Sequence, residues 1–133
     1  MLSVPQGLTE DQFASLSAKV RAAVAPLDTD IRVQGSRVTG TAQPGSDLDL
    51  AIRVSPDRFE QILQARFGTP SPGSAKARTM QHAAATGKIQ AGEAGLRSLR
   101  KALEADLGME VDISVIREGG PFDQGPYLPL KDD

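Results

Sequence analysis

Val33 to Val54 reads V-Q-G-S-R-V-T-G-T-A-Q-P-G-S-D-L-D-L-A-I-R-V. Gly35 and Ser36 break off an alternating segment, Asp30 to Gln34, that predicts a short strand. Thr41 to Ser46 is loop, with Pro44-Gly45 as its turn. Alternation resumes at Asp47. Leu48, Leu50, Ile52 and Val54 share one face, and Asp47, Asp49, Ala51 and Arg53 share the other. Two carboxylates therefore sit side by side on the polar face of a half-buried strand. A third, Asp112, has the same phase in M-E-V-D-I-S-V-I, where Val111, Ile113 and Val115 form the apolar face.

Neighbouring carboxylates repel unless a positive charge stands between them. Mg²⁺ is the natural candidate, because it takes oxygen ligands and shares them with substrate phosphates. If the Asp112 strand neighbours the Asp47–Asp49 strand, all three acids converge. Three converging acids suit a two-metal site that steadies both the attacking and the leaving oxygen of a phosphoryl group. Asp112 could also accept the proton of an attacking hydroxyl. Gly35 lets backbone N–H groups approach a phosphate, and the Ser36 hydroxyl adds a donor. A short helical turn after Ser36 would aim its amides at the same anion, and Arg37 could reach it.

On these residues the chain resembles the polymerase-β-type nucleotidyltransferase superfamily, and its minimal nucleotidyltransferases above all. The shared pattern is Gly-Ser, about ten residues, then Asp-apolar-Asp, with a third acid in a later strand. The resemblance covers residues 30–54 and 109–116, and the helices between them in outline. It implies that Gly35 and Ser36 hold the triphosphate of an NTP and that Asp47 and Asp49 bind metal. Asp112 would then bind metal and activate the acceptor hydroxyl. Gly40 and Ser46 fit the intervening loop as minimal members carry it, which puts Ser46 among the nucleotide-binding residues. The implied fold is α/β (α+β), a small mixed β-sheet flanked by helices. The implied reaction moves NMP from an NTP to an acceptor and releases pyrophosphate.

The rest of the chain is consistent with one domain over residues 1–133. Thr9 with Gln12 predicts a helix start, and Phe13, Leu16, Val20, Val24 and Leu27 recur at helical spacing, with Pro26 as the stop. Ser55-Pro56 opens the next helix, carrying Phe59, Ile62, Leu63 and Phe67. Residues 68–74 connect to an Ala-rich helix over 75–86. Leu96, Leu99, Leu103 and Leu107 mark another helix, with Gly108 as its stop. Those leucines are core, since they span too few heptads for a partner zipper. The tail from 117 is rich in Gly and Pro, and no regular element is expected there.

Between the second and third acids lie Lys76, Arg78, Lys88, Arg97, Arg100 and Lys101. Arg100 and Lys101 read as a solvated helix face balanced by Glu93, Glu104 and Asp106. Lys88, in T-G-K-I, has no helix face to decorate. It and Arg97 are candidates to touch nucleotide phosphates or an RNA acceptor. His82, the single histidine, reads as an ordinary surface residue.

Composition narrows the remaining classes. Net charge is −2, so the chain as a whole does not attract nucleic acid. It has no cysteine, which excludes disulfides, a thiolate zinc site and a cysteine nucleophile. No apolar run suits a membrane span, and no secretion signal is evident at the start. Residues 85–108, A-T-G-K-I-Q-A-G-E-A-G-L-R-S-L-R-K-A-L-E-A-D-L-G, followed by the third-acid strand, are similar to the C-terminal toxin domains of bacterial polymorphic toxins. That similarity implies release from a secreted parent, action in the bacterial cytoplasm, and an immunity protein as partner.

The acceptor stays open among tRNA or other RNA, protein and a small molecule; the short chain favours a macromolecule. One alternative is a non-catalytic module whose acid face docks an immunity or antitoxin protein. Another is a small-molecule, antibiotic-modifying nucleotidyltransferase, which usually carries an added helical domain that this length cannot hold.

Overall fold

The computed structural model describes residues 3–24 and 30–131. The helix α1, Glu10–Val24, starts as the capping pattern requires. Thr9 N–H donates to Gln12 Oε1 at 2.9 Å, and Gln12 N–H donates to Thr9 Oγ1 at 3.1 Å. The expected stop at Pro26 and the apolar position Leu27 lie outside the described residues. The strand β1, Asp30–Gln34, leads into the one-turn helix α2, Ser36–Thr39, and then β2, Leu48–Val54. Next come α3, Pro56–Phe67, and α4, Ala75–Thr86. Each has a serine N-cap: Ser55 accepts from Arg58 N–H, and Ser74 from Ala77 N–H. The chain continues through β3, Lys88–Gln90, α5, Arg97–Leu107, β4, Val111–Arg117, and β5, Tyr127–Pro129.

The strands form one mixed sheet in the order β3-β4-β2-β1-β5. The central β2 and β4 run parallel, and every other pair is antiparallel. Register fixes the two faces. Leu48 pairs with Val111, Leu50 with Ile113 and Ile52 with Val115. Val33 is opposite Leu50 and also opposite Leu128, and Ile89 is opposite Val115. These side chains are buried, and they join Phe13, Leu16 and Val20 of α1, Phe59 and Leu63 of α3 and Leu103 of α5 in one core. Burial of this apolar face, at roughly 25 cal/mol per Å², is the main stabilising term.

Two strands depart from the sequence reading. The tail is not irregular throughout, because β5 pairs along β1 through Arg32–Pro129, Val33–Leu128 and Gln34–Tyr127. Its Pro129 is tolerated because β5 is an edge strand. The Gly-flanked segment at Lys88, to which the sequence assigns no element, is β3, held by its ladder to β4. Neither segment has a local signature, since three residues show no periodicity and cross-strand pairing alone makes them strands.

Candidate active site

Register brings the second and third acids together. Asp49 on β2 lies directly opposite Asp112 on β4, on the face opposite Leu48, Leu50 and Ile52. Asp47, exposed, stands just ahead of β2. Asp49 is the half-buried member, and its carboxyl is pushed up from 3.8 to about 6. Burial is the largest cause, followed by the negative charges of Asp112 and Asp47; the Lys88 ammonium works the other way.

A fourth carboxyl, absent from the sequence-based set, belongs to the group. Glu110 lies beside Asp47, whose hydrogen bonding and charge raise it above its ordinary value. Its signal in the sequence is its phase, because Glu110 alternates in step with Asp112. Leu48 N–H, which donates to Glu110 C=O at 2.9 Å, ties the starts of β2 and β4 together.

The Gly-Ser turn abuts these acids. Gly35 has φ +86 and ψ −161, a backbone conformation that side-chain-bearing residues avoid. A Cβ there would meet Asp49 Oδ2 at 2.5 Å. The chain therefore passes against the Asp49 carboxylate at a place only glycine allows. After this point α2 begins, and first-turn amides of a helix have no intrahelical acceptor. Val38 N–H turns back to Gly35 C=O at 3.1 Å, and Gly40 N–H and Thr41 N–H both reach Ser36 C=O at 3.0 Å.

Arg37 is not directed outward. It is 6 % exposed, and its guanidinium donates to Gln6 C=O at 2.7 Å and to Ser46 C=O at 2.8 Å. Its place after the turn suggests a reach to phosphate. The structure instead uses it to fasten the loop before Asp47 to the segment before α1. Ser46 also serves this loop. Its hydroxyl accepts from Gln43 N–H at 2.9 Å, and its own proton remains available to donate. Gln6 completes the fastening through Ala42, whose N–H donates to Gln6 Oε1 at 2.9 Å.

Lys88 closes the other side. Its Nζ is 4.0 Å from Asp112 Oδ2 and 4.7 Å from the centre of the Phe122 ring. Arg97, exposed, opens α5; among the described residues no hydrogen bond or ion pair joins it to the acids. His82 is exposed on α4.

The far end of the acid face is walled by the tail. Arg53 on β2 donates to Asp123 Oδ1 at 2.7 Å and Oδ2 at 3.1 Å, and to Asp30 Oδ2 at 2.6 Å. Tyr127 O–H also donates to Asp123, and Gly119 N–H reaches it at 2.9 Å. Arg53's hydrogen bonds hold the Asp123 carboxyl well below the usual range. Burial and the Asp123 carboxylate push the Tyr127 phenol up to about 12. Nothing in the local sequence pairs Arg53 with a residue 70 positions later.

The charges of this donor set invite a hard cation. Among the described residues no group of three or more acid, histidine or cysteine side chains is arranged so that it could hold a metal ion. An open, all-oxygen set is what Mg²⁺ uses when phosphates and water complete its shell. Asp112 and Asp47 add, after burial, to the rise of the Asp49 carboxyl, and a cation would relieve that repulsion. The carboxylate oxygens of Asp47, Asp49 and Asp112 are donors of the type that ion takes. Among the described residues no helix is long and apolar enough to cross a membrane.

Comparison with known proteins bears on the same residues. The family model described as a nucleotidyltransferase domain matches residues 15–128, which include both strands that carry the acids and the Gly-Ser turn. No curated protein and no solved structure gives a match.

Proposed function

From the premise that this chain belongs to the nucleotidyltransferase domain family and is a transferase, we propose that it moves an NMP from an NTP to a macromolecular acceptor with Mg²⁺ as cofactor. The observation that carries the reading is the pairing of Asp49 with Asp112 across parallel strands, with Gly35 against the Asp49 carboxylate. Asp47, Asp49 and Asp112 would hold Mg²⁺, which when bound supplies positive charge to the phosphates.

The chain's own residues do the rest. Amides at Gly35–Ser36 and the Ser36 hydroxyl hold the β- and γ-phosphates. The acceptor hydroxyl oxygen attacks the α-phosphorus and forms a new P–O bond. The bond from the α-phosphorus to the oxygen bridging the α- and β-phosphates breaks, and pyrophosphate leaves with that electron pair. The hydroxyl proton passes to the Asp112 carboxylate. Arg37 and Ser46 keep the loop that presents Asp47 in place, so their effect on NTP binding is indirect. Catalysis on this scheme is positioning and charge neutralisation.

The acids lie on an open sheet face, which favours RNA or protein over a small molecule as acceptor. The similarity of residues 85–116 to toxin domains supports action against bacterial growth, with an immunity protein that masks the acid face. Isothermal titration with each NTP in Mg²⁺ and in EDTA tests the binding half. Saturable, Mg²⁺-dependent heat that disappears in Asp47→Ala/Asp49→Ala supports the proposal; no heat with any NTP contradicts it. Expression of the wild type and the double variant in bacteria tests the toxin half, since growth arrest must depend on both acids.

A further inference from the structure

The acid face has a flank that the catalytic scheme leaves unused. A cleft of about 100 Å³ is lined by Thr79, His82 and Thr86 of α4, Lys88 and Gln90 of β3, Glu93 just after it, and Phe122 of the tail turn, among others. Phe122 is 42 % exposed, and it is the one large apolar side chain exposed among the described residues. A ring on a loose turn would need no explanation. This ring follows from a pinned backbone, because its neighbour Asp123 takes two hydrogen bonds from Arg53, one from Tyr127 and one from Gly119. The fold thus holds an aromatic face out at the rim of the cleft.

Position decides what the cleft can serve. Across the sheet the order is β1 with the Gly35–Ser36 turn at its end, then Asp49 on β2, Asp112 on β4 and Lys88 on β3. In-line displacement puts the attacking oxygen opposite the leaving pyrophosphate. Pyrophosphate leaves on the Gly35–Ser36 side, so the acceptor hydroxyl arrives over Asp112 from the β3 side. The cleft is there. Lys88 Nζ lies between the Asp112 carboxylate and the Phe122 ring, 4.0 Å from Asp112 Oδ2 and 4.7 Å from the ring centre. A nucleoside, with a flat base at one end and a ribose hydroxyl at the other, can bridge that separation.

The lining matches the same ligand. His82 and Gln90 offer donors and acceptors around the ring, and Thr79 and Thr86, whose hydroxyls donate to the Ala75 and His82 carbonyls, offer acceptors, as the edge of a base requires. The charged side chains of the lining are Lys88 and Glu93, and Lys88 is the one beside Asp112. We propose that this cleft is the acceptor site, that it takes the 3′-terminal nucleotide of a single-stranded RNA end, and that Phe122 stacks its base while Lys88 meets its phosphate. The proposal rests on the nucleotidyl-transfer reading above and names the acceptor that the reading leaves open.

The chain contains no tryptophan, so Phe122→Trp supplies a single reporter at the rim. Titration of that variant with a short single-stranded oligoribonucleotide should quench its fluorescence saturably. Phe122→Ala should weaken RNA binding by about tenfold or more, Phe122→Tyr should restore it, and NTP affinity should stay unchanged in both. Quenching by NTP and not by RNA would assign the ring to the donor base and overturn the proposal. Unchanged RNA affinity in Phe122→Ala, or label transfer to protein in place of RNA, would overturn it too. Loss of RNA quenching while NTP still binds the wild type brings down this inference alone, whereas failure of NTP binding in the wild type brings down the transfer reading beneath it.

Discussion

The Asp49 carboxylate fills the space a side chain at Gly35 would need: a Cβ on Gly35 would lie 2.5 Å from Asp49 Oδ2. Gly35→Ala must therefore displace either the turn or the acid. A shift of about 1 Å at a reacting centre costs roughly 100-fold in rate. We expect Gly35→Ala to lose at least about that much transfer activity, with about 1 kcal/mol of stability lost to the positive φ. Transfer kinetics and a urea melt on the same preparation check both. Full activity in Gly35→Ala would contradict this close approach.

Asp49→Asn separates stability from activity. In the free protein the carboxylate is half-buried and faces Asp112 and Asp47, and its carboxyl is pushed up to about 6. An uncharged amide of the same shape removes that repulsion. Without metal, Asp49→Asn should melt at a higher temperature than wild type, by about 1 kcal/mol after allowance for solvent screening. With NTP and Mg²⁺ it should fall below wild type in both activity and stabilisation. Differential scanning calorimetry in EDTA measures the first effect; a lower melting temperature there would oppose the repulsion account.

Arg37 allows a phosphate contact to be told from a structural fastening. Its guanidinium serves Gln6 and Ser46 carbonyls from a buried position. Arg37→Met keeps the bulk and removes the donors. Leaving buried acceptors unsatisfied costs about 1–3 kcal/mol, so the variant should lose that much stability to urea. Its NTP affinity, measured well below the unfolding transition, should drop less than tenfold. A large loss of affinity with unchanged stability would return Arg37 to the phosphates.

Much of this layout is legible in the sequence, and the gaps have one cause. The Thr9–Gln12 cap, the Ser55-Pro56 start and the alternation of β2 and β4 are local patterns, and each element appears where its pattern lies. Phase puts Asp49 and Asp112 each on the polar face of its own strand, and the parallel pairing of β2 with β4 then sets them opposite each other. The strands β3 and β5 are three residues each and exist through their partners, so no window of sequence announces them. The inward turn of Arg37 depends on carbonyls 31 and 9 residues away. The clamp of Arg53 on Asp123, and with it the position of Phe122, is likewise non-local. Glu110 is a different case: it is in phase with Asp112, and its place beside the acids is readable from alternation.

That clamp should show in the acid stability of the protein. Asp123 is held below the usual carboxyl range chiefly by hydrogen bonds from Arg53. A carboxyl whose folded pKa is depressed stabilises the fold above its ordinary value of 3.8, and the contribution fades as pH falls below that. Asp123→Asn should lose about 2 kcal/mol at pH 7, since it leaves a partly buried Arg53 short of its partner. The gap between variant and wild type should narrow steadily below about pH 4. Urea titrations across that range measure it, and a gap independent of pH would deny the carboxylate its charge-based role.

The central claim is that the α-phosphorus, and not the γ, is transferred. Parallel reactions with α-³²P- and γ-³²P-labelled NTP, in Mg²⁺ and a bacterial lysate, test it most directly. The account predicts α-label fixed in a macromolecular fraction, γ-label released as pyrophosphate, and neither result in Asp47→Ala/Asp49→Ala. Fixation of the γ-label would mean phosphoryl transfer, and would contradict the assignment of these three acids to nucleotidyl transfer.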